Sequence, residues 1–151
     1  MFNRILVPVD RSELTHKAVE MALCLADRFE SEVVLLHIRK QAASLEHGEA
    51  EADLDEIDTE TKRLIATGLA KLRNEHTVTA GQVRGEVRAG PVVQIIGEAS
   101  DELQIDCIVM GTHGRHRVTD LFTGSTAEQV VAKTSASVLV VKPDGFPFLR
   151  D

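Results

Sequence analysis

The chain has 151 residues, 43% hydrophobic and 27% charged, which is enough apolar material for one core and excludes a disordered chain. The formal net charge is −7, and the acids between Glu46 and Glu60 crowd a stretch holding no Lys or Arg, so a basic field for nucleic acid is excluded. No apolar run spans a bilayer, no leader is expected, and two distant cysteines, Cys24 and Cys107, exclude a disulfide framework and fit a reducing cytoplasm.

Taken in chain order, short apolar runs alternate with amphipathic stretches. Residues 5–9 form a near-continuous apolar run, as expected of a strand covered on both faces. Leu14, Ala18, Met21, Leu25 and Phe29 follow at steps of three and four, predicting a helix with Asp10 or Ser12 as its N-cap. Residues 33–38 are a second buried strand. After one long connection, Leu54, Ile57, Leu64, Gly68 and Leu72 trace a second helical stripe, begun by an acidic turn that suits the helix dipole.

In residues 83–88, Val83, Gly85 and Val87 alternate with Arg84, Glu86 and Arg88, the pattern of a half-exposed edge strand. Gly90-Pro91 opens a helix with Val92, Ile96, Ala99 and Leu103 inward, Pro91 suiting the first helical position. Residues 105–110 are the next buried strand. Ala127, Val130, Val131 and Thr134 mark a last helix starting near 123–125, and the apolar run from Val138 to Val141 closes the pattern. The order β-α-β-α-β-α-β-α-β predicts an α/β fold: a single doubly wound domain over residues 1–151, with a tail from residue 142. Phe146, Phe148 and Leu149 in that tail are apolar enough to pack against something.

In open α/β sheets the ligand crevice lies beyond the carboxyl ends of the strands, where strand order reverses. For the order 3-2-1-4-5 that point falls between the first and fourth strands. There the sequence places Pro8-Val9-Asp10-Arg11-Ser12 and Met110-Gly111-Thr112-His113-Gly114-Arg115, followed by Gly124-Ser125-Thr126. Gly111, Gly114, Gly124 and Ser125 follow the spacing G-x2-G-x9-G-S. Glycines let a backbone come close to an anion, and a helix start offers unpaired amides.

These segments, with Leu35-Leu36-His37-Ile38 and Val138-Leu139-Val140-Val141, resemble the universal stress protein family over nearly the whole chain; the glycine signature is that of its ATP-binding branch. The resemblance implies a five-stranded parallel sheet of order 3-2-1-4-5 with helices on both faces (adenine nucleotide alpha hydrolase-like). It also implies ATP in the crevice. Pro8, Val9 and Asp10 would line the adenine and ribose, Ile38 would cover the adenine, and Met110 and Gly111 would lie against the nucleoside. Gly114, Arg115, Gly124, Ser125 and Thr126 would meet the phosphates, which would carry Mg2+. It further implies a homodimer. Family members often have a proline before the last strand where this chain has Ala136-Ser137, a change in a turn away from the nucleotide.

Other chemistries fit less well. His113 and His116 supply two zinc ligands of the four needed. A phospho-acceptor domain needs a carboxylate pair after the first strand and an aspartate after the third, where this chain has Asp10 alone and Ala89-Gly90. Walker lysine, G-x-S-x-G and H-E-x-x-H motifs are missing. A binding module is therefore expected rather than an enzyme, with slow ATP hydrolysis, self-phosphorylation or a nucleotide-free interaction protein as alternatives. His37 is expected to be a packed, hydrogen-bonded histidine, Cys107 an inert buried thiol, and Arg117 and Asp120 a solvated loop pair. Bare apolar edges tend to pair, so Val138 to Val141 is expected to join two copies about a two-fold axis; a separate protein partner is also expected, which the residues do not name.

Overall fold

A computed structural model describes residues 2–10, 12–39, 83–112 and 126–142. The stripe from Leu54 to Leu72, the tail after Lys142, and His113, His116, Arg117 and Asp120 lie outside the described residues. The elements are β1 (Arg4–Val9), α1 (Glu13–Phe29), β2 (Glu32–Arg39), β3 (Val83–Ala89), α2 (Val92–Glu102), β4 (Cys107–Gly111), α3 (Thr126–Lys133) and β5 (Ser137–Val141). They build a parallel sheet of order β3-β2-β1-β4-β5, the order expected from the sequence. Among the described residues, no helix is long and apolar enough to cross a membrane.

The continuous apolar runs become the sheet's centre because both of their faces are covered. Ile5, Val7, Val33, Leu35, Cys107 and Val109 point to one face, where Ala18, Ala22, Leu23 and Ala26 of α1 pack on them. Leu6, Val34, Leu36, Ile108 and Met110 point to the other, against Ile95, Ile96 and Ala99 of α2 and Ala127 and Val130 of α3. Ile5, Leu6, Leu36 and Ile108 are fully buried, and each contributes about 1.5–3 kcal/mol by leaving water.

Helix faces differ from the sequence expectation in two places. The stripe read through Met21 and Phe29 is rotated, since α1 seats its alanines on the sheet and leaves Met21 and Phe29 exposed. Small side chains let the helix come closer, and Phe29 instead stacks edge-on with Phe2 at a centroid distance of 5.8 Å. On α3, Val131 is 55% exposed rather than inward. Pro91 also sits one residue earlier than expected, at the N-cap of α2 in an extended conformation. Gly90 before it has φ +144°, a conformation open to glycine and costly for other residues.

The charged side of β3 is not simply solvated. Arg84, Glu86 and Arg88 lie in register with Val34, Leu36 and Ile38, and they form a ladder of ion pairs at the sheet's edge. Arg4 Nε donates to Glu32 Oε2 at 3.1 Å and Arg84 Nε donates to Glu32 Oε1 at 2.7 Å. Arg84 also pairs with Glu86; Arg88 pairs with Glu86 at 3.2 Å and with Glu102 of α2 at 2.8 Å. The ladder runs from the starts of β1 and β2 along β3 to the end of the helix α2. At the amino end of the sheet, Asp106 accepts the amides of Asn3 at 2.6 Å and Arg4 at 3.1 Å, which joins β1 to the approach to β4.

Candidate functional site

The strand order reverses beside β1: β2 and β3 continue on one side, β4 and β5 on the other. On the β2 side, β1 is paired along its whole length, from Arg4↔Glu32 to Val9↔His37. On the β4 side the register holds only Ile5↔Cys107 and Leu6↔Ile108. Pairing between β1 and β4 thus stops short of their carboxyl ends, where Pro8, which has no N–H to donate, stands in β1. The candidate cleft is this switch point, between two chain segments about a hundred residues apart in sequence.

The described candidate residues gather at this end of the sheet. Pro8 and Val9 end β1 and are half-buried, and Asp10 follows on the surface. Ile38, near the end of β2, is half-buried and packs with the cluster that includes Leu36 and Met110. Met110 is buried, and its side chain belongs to the core cluster with Leu36 and Ile108. Gly111 ends β4, and Thr126 begins α3 half-buried. Gly114, Arg115, Gly124 and Ser125 lie outside the described residues.

Two side chains pin the end of β1. The ring Nδ1 of His37 lies 3.3 Å from the Val9 carbonyl oxygen; a carbonyl only accepts, so Nδ1 carries the proton. That is the packed, hydrogen-bonded histidine expected at the end of the second strand. Asp10 Oδ1 accepts the Ser12 amide at 2.8 Å and the Thr15 hydroxyl at 2.7 Å, and the Asp10 amide donates to Thr15 Oγ1 at 3.1 Å. Ser12 occupies the N-cap of α1 without a side-chain cap bond, so the carboxylate of Asp10 ties down the start of the helix. Thr15 went unnoticed in the sequence. The spacing D-x-S-x-x-T, with a hydroxyl three residues after an N-cap, was the available signal.

The hydrogen bond from Arg84 holds the Glu32 carboxyl below the usual carboxylate range; burial opposes it, and Arg4 adds to it. Burial pushes the Cys107 thiol up, with Asp106 adding to it, so this thiol stays protonated and unreactive at neutral pH.

The family model for the universal stress protein family matches residues 1–142. Universal stress protein G of Salmonella typhimurium is 29% identical over 144 residues, spanning 94% of this chain and 100% of that protein. The structure of the universal stress protein UspA from Lactobacillus plantarum superposes with a TM-score of 0.72 at 26% identity, over 93% of this chain and 97% of that one. A universal stress protein in complex with cAMP shares the fold at a TM-score of 0.70 and 16% identity, over 93% and 97% of the two chains. A match across residues 1–142, on a sheet of the expected strand order, makes this chain a member of the universal stress protein family.

Proposed function

We propose that this chain binds ATP at the cleft between β1 and β4 and acts as a nucleotide-dependent regulatory module rather than as an enzyme. The observation that carries the reading is the β1–β4 register, which stops after two pairs at the point where α/β folds hold their ligands. A relative of the same fold in complex with cAMP supports an adenine nucleotide there. The family's glycine signature at Gly111, Gly114, Gly124 and Ser125 favours a ligand with a phosphate chain.

In this reading Pro8, Val9, Asp10 and Ile38 hold the adenine and ribose, while Gly114, Arg115, Ser125 and Thr126 hold the phosphates. Mg2+ binds few protein ligands and keeps phosphate oxygens and waters, so the nucleotide carries it. Occupancy changes the surface offered to a protein partner. The same reading places the protein in the cytoplasm, as a homodimer through Val138 to Val141.

Calorimetric titration with ATP, ADP and cAMP, with and without Mg2+, tests the binding. ATP with Mg2+ is expected to bind, and Gly114→Val is expected to abolish binding by filling the space of the phosphates. A wild type that binds no nucleotide overturns the reading, and unchanged affinity in Gly114→Val overturns the placement of the phosphates. Single-turnover assays with labelled ATP are expected to return it intact. Hydrolysis that Asp10→Ala removes without loss of binding would make the protein an enzyme.

A further inference from the structure

We infer that Thr15 is a positioning residue of the nucleotide site, its hydroxyl fixing Asp10 at the mouth of the cleft. The inference rests on the reading of that cleft as a nucleotide site and goes beyond it by adding a residue of α1 that sets the affinity for the nucleoside end. Thr15 Oγ1 donates to Asp10 Oδ1 at 2.7 Å while accepting the Asp10 amide at 3.1 Å. One hydroxyl thus holds both the backbone and the carboxylate of the same residue. The Ser12 amide adds a second donor to Oδ1 at 2.8 Å.

The reach follows from helix geometry. Thr15 stands in the first turn of α1, its own amide bonded to the Ser12 carbonyl at 3.1 Å, and Cα–Cβ bonds of a helix tilt toward its N-terminus. The hydroxyl therefore points back across the turn to the end of β1. An exposed aspartate ordinarily samples several rotamers. Here a bond to a charged acceptor, the stronger class, selects one before any ligand arrives. Without it, Asp10 keeps the Ser12 amide but loses the hydroxyl that holds its carboxylate and its backbone together, and restoring that order on binding lowers affinity.

The experiment is calorimetric titration of ATP with Mg2+, and separately of adenosine, into the wild type, Thr15→Val, Thr15→Ser, Asp10→Ala and the Thr15→Val/Asp10→Ala double variant. Valine keeps the shape and removes the hydroxyl, and serine keeps the hydroxyl. Thr15→Val is expected to weaken both ligands about tenfold, and Thr15→Ser to stay within about twofold of wild type. In the Asp10→Ala background, Thr15→Val should change nothing further, because Thr15 acts through Asp10. Wild-type affinity in Thr15→Val overturns the inference, as does an equal loss in both backgrounds. If valine unsettles the start of α1, as melting would show, Thr15→Ser carries the decision through its rescue: loss in that variant also overturns the inference. A wild type that binds neither ligand brings down the nucleotide reading itself, an outcome distinct from a wild type that binds and a Thr15→Val that binds equally well.

Discussion

A β-carbon added to Gly111 would stand 2.8 Å from the Leu14 Cβ and 3.2 Å from its Cδ1. The end of β4 and the first turn of α1 touch there, so the glycine is needed for packing. Gly111→Ala should push the start of α1 away from the sheet, at a cost of about 1–3 kcal/mol. Chemical denaturation checks the stability. Because Asp10 is bonded to that same helix start, nucleotide affinity should fall too.

Glu30, which closes α1, holds φ at 56° and its amide bonds the Ala26 carbonyl. A side chain in the left-handed region is disfavoured, while glycine is at home there. Glu30→Gly is therefore expected to raise stability by about 0.5–1 kcal/mol, read as a higher denaturation midpoint with unchanged slope. A lower midpoint would show that the Glu30 side chain makes a stabilising contact.

Glu32 sits between Arg4 and Arg84 with its carboxyl held below the usual range. A depressed folded-state pKa contributes stability that is present above the unfolded pKa, about 4.3 for glutamate, and is lost as pH falls through the folded value. The side chain is partly exposed, so the contribution at pH 7 stays under about 1 kcal/mol. Glu32→Gln should be less stable than wild type at pH 7, and the gap should close in acid. A gap that stays constant down to pH 3 would assign the loss to packing.

Leu139 and Val140 are exposed on β5, at one edge of the sheet, with Val131 of α3 exposed as well. An apolar edge of this kind invites a second copy. Val140→Lys is expected to sediment as a monomer where the wild type sediments as a dimer. A variant that remains dimeric would place the interface elsewhere.

The central strands β1, β2 and β4 were legible because their apolar runs are covered on both faces, whereas the apolar run of β5 lies at an exposed edge. β4 shows the limit of that reading. The apolar run begins at Ile105, but the strand begins at Cys107, since Asp106 turns to bind the amides of Asn3 and Arg4. Helix faces were legible to within a rotation. Alternation in β3 marked an edge strand, yet nothing in it announced that Arg84 and Arg88 would meet Glu32 and Glu102.

The candidate site divides in the same way. Pro8, Asp10 and Gly111 stood out as residues because proline in a strand, acid after a strand and glycine after a strand each have a local meaning. Thr15 did not, since a threonine early in a helix is ordinary until its hydroxyl is seen 2.7 Å from a carboxylate.

Periodicity and residue type, which are local properties, were enough to predict the kind of fold, and the segment motifs carried the family resemblance. Where the β1–β4 ladder stops, which side chains tie down Asp10, and why Gly111 must be small depended on the folded chain. Those facts turn on tenths of an ångström between elements distant in sequence, and such distances are set jointly by every layer packed between them.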